Sequence, residues 1–233
     1  MSLISIEDIR KSYTAGDEEV TALHATRLEV EEGEFVAVLG PSGSGKSTFL
    51  SILGAMNTPT GGRLVVDGID VYALTDEQRT DFRREYIGFV FQQLQLIPYL
   101  TALQNVMLPL AVTSIGRREQ VEKARAALAM MGLEHKGGRL PNDLSGGEQQ
   151  RVAIARAIVN DPPILLTDEA TGNLDSLTGG SVMDIFDELK RKGHTIVMVT
   201  HNPDNCRHAT RVVEIVDGHV KLPQAPETRG GVH

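Results

Sequence analysis

The sequence contains one cysteine, no tryptophan and only 4% aromatic residues in 233 positions. A lone thiol, Cys206, cannot close an internal disulfide, and no second cysteine stands at metal-ligand spacing from it. A disulfide-stapled scaffold and a cysteine-built metal site are therefore excluded, and a reducing compartment is expected. Basic charge is also short, with 23 Lys and Arg against 31 Asp and Glu for a net charge of -8. That balance argues against a surface that wraps nucleic acid. No uncharged run is apolar enough to cross a bilayer. The first residues, Met1-Ser2-Leu3-Ile4-Ser5-Ile6-Glu7-Asp8, place acids where a secretory leader needs a basic start and an apolar core. The expectation is a soluble protein whose membrane role would come through a partner. No internal repeat is visible. What is present, 41% hydrophobic and 23% charged residues, suits one large globular domain or a core with a subdomain.

Short β-type runs alternate with helical patterns along the chain. Leu3 to Ile9, Val20 to Val30, Phe35 to Leu39 and Arg63 to Val66 read as strands, followed by Tyr86 to Phe91, Ile164 to Asp168, Thr195 to Thr200 and Val212 to Val216. Helices are expected over Ser47 to Leu53, Gln78 to Arg84, Arg117 to Met131, Ser145 to Val159 and Leu177 to Lys192, the last closed by Gly193. Near-continuous apolar strands between helices mean an α/β fold with a largely parallel sheet covered on both faces. Residues 86–116 carry no charge at all. Pro98, Pro109 and the glutamines exclude a membrane helix there, leaving a buried loop-and-helix segment or an apolar docking surface.

Three stretches carry chemistry. After the strand Phe35 to Leu39 comes Gly40-Pro41-Ser42-Gly43-Ser44-Gly45-Lys46-Ser47, which fits the phosphate-binding pattern G-x-x-x-x-G-K-[ST] and runs into a helix with Thr48. Its glycines let backbone N–H groups converge on an anion, and the helix N-terminus adds its positive dipole end. Lys46 supplies a cation for the β/γ phosphates, and the Ser47 hydroxyl is placed to hold Mg²⁺. A nucleoside triphosphate is therefore the expected ligand. The second stretch is the apolar strand Ile164 to Asp168 with Glu169 after it. Asp168 suits a Mg²⁺-holding Walker B acid, and Glu169 can polarise an attacking water. The third is Leu144-Ser145-Gly146-Gly147-Glu148-Gln149-Gln150-Arg151. Ser145 and Glu148 alone read as a helix capping box. Two glycines at the mouth of that helix leave backbone open to something anionic.

Those eight residues resemble the signature of ATP-binding-cassette (ABC) ATPases, and the resemblance extends over about residues 3–221. It implies a P-loop NTPase, RecA-like core with a small antiparallel β subdomain and an inserted α-helical subdomain. The implied layout is one domain over 1–221, with core and β subdomain at 1–92 and 160–221, helices at about 93–159, and a flexible tail at 222–233. By the same resemblance Tyr13 stacks on adenine, Gln92 is the Q-loop glutamine that reaches Mg²⁺ and the reacting phosphate, and Asp175 lies in the D-loop. His201 matches the switch histidine that contacts the γ-phosphate. Ser145, Gly146 and Gly147 would complete the phosphate site of a second copy, burying two ATP molecules in a head-to-tail dimer. Thr171-Gly172-Asn173-Leu174-Asp175-Ser176 and the 96–110 stretch are similar to the MacB/LolD type. Membrane permease subunits are then expected to dock near Gln92 to Leu110, on the cytoplasmic face of the cell membrane, with an extracytoplasmic adaptor reached through the permease. Ala170 departs from the type, which usually has proline there; the change relaxes the backbone entering the D-loop and removes no catalytic group. A soluble non-transport ABC ATPase and a small-molecule P-loop kinase are the rival readings. The first would carry a second cassette or a coiled-coil insertion, and the second would need an acceptor lid and have no use for the signature.

Overall fold

The structure, a computed structural model, describes residues 2–16, 18–172 and 174–221. The tail 222–233, expected to fray, lies outside the described residues, as does Asn173 of the D-loop.

Two sheets form the frame. Strands β1 (Ser2–Ala15), β2 (Glu18–Glu31), β4 (Gly61–Val66) and β5 (Ile69–Asp70) make an antiparallel sheet in the order β2-β1-β4-β5. The strand expected over Leu3 to Ile9 continues to Ala15 through a register break after Ile6, where Asp8 takes φ 51°. The central sheet has six strands. They are β3 (Phe35–Leu39), β6 (Ile87–Val90), β7 (Ile164–Asp168), β8 (Thr195–Thr200), β9 (Arg211–Val216) and β10 (His219–Lys221), in the order β10-β9-β3-β8-β7-β6. Five of these run parallel, and β10 returns antiparallel at the edge.

Period-2 alternation splits the central sheet between two cores. Val36, Val38, Ile164, Leu166, Val197, Val199, Val213 and Ile215 pack with helix α1 (Lys46–Leu53) and the antiparallel sheet. Phe35, Leu165, Ile196 and Met198 face the other way, into helices α3 (Ala102–Met107), α4 (Arg117–Met130), α5 (Gly146–Ile158) and α6 (Ser176–Arg191). The phosphate-loop helix and the signature helix thus belong to opposite faces of one sheet. Helix α2 (Asp76–Tyr86) starts at a capping box in which Thr75 and Gln78 exchange hydrogen bonds, and its Phe82 joins the α1 side.

Parallel strand order also gathers the functional segments. The loops after β6, β7, β8 and β3 all leave from carboxyl ends of strands, where open α/β sheets bind ligands. Register pairs Leu39 with Thr200, Asp168 with Val199 and Val90 with Thr167, so Gly40, Glu169, His201 and Gln92 emerge along one edge.

Candidate functional site

The loop 40–47 takes the shape its glycines permit. Gly43 and Gly45 adopt φ 79° and 102°, left-handed values that residues with a Cβ resist. A Cβ on Gly45 would fall within 3.0 Å of the Ala22 carbonyl, and one on Gly40 would collide with the Ile215 carbonyl. The Ser44 carbonyl accepts from Gly218 N at 2.9 Å, and the Gly218 carbonyl accepts from His24 N at 2.8 Å, so β2 and the β9–β10 turn brace the loop. Lys46 is buried, its Nζ donating to the Gly40 and Pro41 carbonyls at 2.8 Å each. Ser44 Oγ is buried without a hydrogen-bond partner among the described residues. The exposed Pro41, Ser42 and Gly43 form the rim, and Thr48 is half-buried in the first turn of α1. A concave nest with a buried cation, an orphaned hydroxyl and a helix N-terminus fits a polyphosphate.

Asp168 stands beside this loop and accepts from the Ser47 hydroxyl. Burial pushes its carboxyl above the ordinary aspartate value; the Ser47 bond opposes the rise, the Glu169 charge adds to it, and Lys46 lowers it more weakly. A carboxylate that is costly to ionise, next to a hydroxyl, is an oxygen donor pair of the kind a hard divalent cation relieves. Glu169 takes φ 47°, a strained value for a side chain, with its N–H on the Val199 carbonyl at 3.0 Å and its own carbonyl accepting from Gly172 N at 3.0 Å. The turn aims its carboxylate between two donors: Gln92 Nε2 donates to Oε2 at 2.9 Å and His201 Nδ1 donates to Oε1 at 2.8 Å. Glu169 is mostly covered and His201 is half-exposed. A cleft of about 300 Å³ lies between Gly40, Pro41 and His201, and another of about 360 Å³ lies between Glu169, Gly172 and His201.

Ser145, Gly146 and Gly147 open α5 elsewhere. Ser145 Oγ accepts from Glu148 N at 3.3 Å, Glu148 Oε2 accepts from Ser145 N at 2.9 Å, and Lys136 Nζ donates to Glu148 Oε1 at 2.6 Å. The Lys136 bond holds the Glu148 carboxyl below its usual value. Ser145 and Gly146 are exposed, whereas Gly147 is buried under the methyl of Thr178 in α6. Asp175 caps α6, with Oδ1 accepting from Leu177 N at 3.1 Å and Thr178 N at 3.0 Å. A further bond from the Thr178 side chain is the main reason its carboxyl sits low. Tyr13 lies on β1, 42% exposed, with Asn57 Nδ2 donating to its hydroxyl at 2.6 Å and Lys11 over its ring. The structure therefore brings Gln92, Asp168, Glu169 and His201 to the strand ends beside the loop, and sets Ser145 to Gly147 at the mouth of α5, against Leu174 and Thr178.

The ABC transporter family model matches residues 23–172, the stretch from β2 through the phosphate loop and the signature to Gly172. The chain belongs to the ABC transporter family. The cassette is 45% identical over 218 residues to the uncharacterized ABC transporter ATP-binding protein YknY of Bacillus subtilis, covering 94% of this chain and 95% of that one. It is 43% identical over 218 residues to the macrolide export ATP-binding/permease protein MacB of Vibrio parahaemolyticus, covering 94% of this chain but only 33% of MacB. Among solved structures, the ATP-binding cassette MJ0796, dimeric and bound to ADP and Pi in a post-hydrolysis state, superposes with TM-score 0.87 at 43% identity, over 95% of this chain and 99% of that one. MJ0796 comes from Methanocaldococcus jannaschii.

In the cassette the charge-free segment divides in two. Ala102, Val106, Met107 and Leu110 are buried in the helical core, while Tyr99 is 78% and Val112 68% exposed. A groove of about 300 Å³, bordered by Phe89, Phe91 and Pro109 and by Arg83, Arg84 and Arg156, lies beside Val112. The sequence reading missed the short α3, whose signal was present as the capping box Thr101–Gln104. It also missed Arg156, which donates to the Leu94 and Gln95 carbonyls at 2.7 Å each and ties α5 to the loop after Gln92. Among the described residues, no helix is long and apolar enough to cross a membrane.

Proposed function

We propose that this cassette binds and hydrolyses ATP as a head-to-tail dimer and transmits its closing and opening to a membrane permease. One observation carries the dimer. Among the described residues the phosphate loop is braced by Ala22, Ile215 and Gly218 while the mouth of α5 packs on Leu174 and Thr178, and no hydrogen bond joins the two. A second copy supplies what the first lacks, as an incomplete site on a heterologous surface requires.

In this reading the loop from Gly40 through Gly45, through the N–H groups of its residues other than Pro41, together with Lys46, Ser47 and Thr48, holds the phosphates, and Tyr13 stacks on the adenine. Ser47, Asp168 and Gln92 would hold magnesium. When bound, that ion neutralises charge between the phosphate oxygens. Glu169 takes a proton from the attacking water, with Gln92 and His201 fixing the direction of its carboxylate. His201 keeps Nδ1 on Glu169, which leaves its Nε2 side to meet the γ-phosphate. Ser145, Gly146, Gly147 and Asp175 of the second copy close the site and exclude water. The division into core with β subdomain (1–92 and 160–221) and helical subdomain (93–159) lets ATP pull the two parts together.

The exposed Tyr99 and Val112 and the groove beside Phe91 form the surface that receives the permease, within Gln92 to Leu110 and just beyond it. The cassette then sits on the cytoplasmic face of the membrane, and an extracytoplasmic adaptor is reached only through the permease. The relation to MacB, whose name joins ATP-binding and permease, supports this reading over a soluble non-transport ATPase. The permease chooses the substrate. The test is Glu169→Gln: ATP binding is retained, hydrolysis falls to background, and a dimer that elutes as such only with ATP accumulates. Near-normal turnover would remove Glu169 from the role of base.

A further inference from the structure

Glu169 and His201 leave from different strands, and the hydrogen bond between them lasts only if the two strand ends stay in register. The Glu169 N–H on the Val199 carbonyl ties the two backbones, and the turn after β8 adds a side-chain link. Pro203–His208 is a 3-10 turn, and its Asn205 is buried, 6% exposed. Asn205 Nδ2 donates to Thr171 Oγ1 at 2.8 Å and to Thr200 Oγ1 at 3.1 Å. Thr171 lies two residues after Glu169, and Thr200 lies one residue before His201. Both threonines are buried, and Thr200 Oγ1 also accepts from Asn202 N at 3.0 Å.

We propose that Asn205 is a positioning residue for hydrolysis: its amide bridges the segments that follow β7 and end β8, and so holds Glu169 and His201 at hydrogen-bonding distance. The bridge matters more here because of Ala170. At that buried position a proline would stiffen the chain leaving Glu169, and alanine does not. Glu169 itself sits at φ 47°, a conformation that persists only where the surroundings over-determine it. With a freer residue next to it, part of that constraint passes to the Thr171 hydroxyl and through it to Asn205. A buried amide with two good acceptors holds its geometry better than an apolar side chain there, which would leave both hydroxyls without this donor.

The inference rests on the proposed roles of Glu169 and His201. The experiment compares Asn205→Ala, Thr171→Val and the double variant, with Glu169→Gln alongside, measuring kcat, KM for ATP and the ATP-binding stoichiometry that counts folded sites. Misplacing the base lowers kcat per folded site by about tenfold in each single variant, with KM within about twofold. The double variant is no slower than either single, because both remove one bridge. Thr171→Val nearly preserves shape, so it reports even if Asn205→Ala folds poorly. ATP-dependent dimer formation persists when Asn205→Ala is added to Glu169→Gln. Wild-type kcat in both single variants, or a double variant at the product of the two losses, would overturn the bridge while Glu169→Gln stays inactive. Turnover by Glu169→Gln itself would instead show that the underlying reading of the base had failed.

Discussion

Two adjacent glycines in the signature separate folding from function. Replacing Gly147 by alanine puts a Cβ within 3.0 Å of Thr178 Cγ2, closer than real side chains approach. Thr178 can respond in two ways. It can stay and force α5 and α6 apart, which for an added methyl in a packed contact costs about 1–3 kcal/mol. Alternatively it can rotate, which withdraws its hydroxyl from Asp175 at a cost of about 1 kcal/mol plus an unfavourable rotamer. Either path gives about 2 kcal/mol, which for a chain of this size is roughly 4–8 °C in Tm. Gly146 differs, since among the described residues a Cβ there meets only Leu174 at 3.8 Å, an ordinary contact. Gly146→Ala is therefore expected to keep wild-type Tm while losing ATPase activity, because the exposed mouth of α5 no longer fits against a second copy. Thr178→Ser removes the clashing methyl and keeps the hydroxyl, so Gly147→Ala/Thr178→Ser should recover most of the lost Tm. Thermal melts of the four proteins without nucleotide decide this. An unchanged Tm for Gly147→Ala, or no recovery in the double variant, would refute the packing argument.

Asp168→Asn should be at least as thermostable as wild type at pH 7 without nucleotide, yet lose Mg²⁺-dependent hydrolysis by about a hundredfold. The sign follows from burial, which raises the folded pKa of Asp168 above its unfolded value. The folded state then binds the extra proton, and the ionised carboxylate at neutral pH is the costly form. Glu148 has the opposite sign, because Lys136 lowers its folded pKa. Its contribution, about 0.5 kcal/mol for a partly exposed pair, is present above the unfolded carboxylate value and lost as pH falls through the folded one. The Tm gap between wild type and Glu148→Gln should therefore close in acid, and a gap independent of pH would count against the pair. Tyr13→Ala should weaken ATP binding by about tenfold through lost stacking, while Tyr13→Phe stays near wild type. Equal losses in calorimetric titrations of the two would place the effect in the hydroxyl bond with Asn57.

Much of the frame was legible because each central strand is a short apolar run bounded by turn residues, and because Gly193 (φ 101°) closes α6 where expected. The coincidence of Gln92, Glu169 and His201 followed from matching residues to a family pattern. Its physical basis, parallel strands releasing their loops at one edge, appears only once strand order is known. Other features lay beyond local pattern. β5 and β10 are two and three residues long, too short to show a period. The 86–116 stretch has no charges, so nothing marks which face of α3 is buried. The burial of Gly147 depends on Thr178 thirty-one positions away, and that of Asn205 on Thr171 across a strand. Both are long-range contacts with no periodic trace in the sequence.

The central claim is that a complete site needs the phosphate loop of one chain and the signature of another. Lys46→Ala disables the loop, and Ser145→Arg disables the exposed signature cap. Each variant alone is expected to be inactive, since every site in its dimer lacks one half. Mixed in equal amounts, they form dimers in which the intact loop of the Ser145→Arg chain faces the intact signature of the Lys46→Ala chain. With random pairing, hydrolysis should recover to about a quarter of the wild-type rate. A mixture no more active than its components, under conditions where chain exchange is demonstrated, would contradict the shared site.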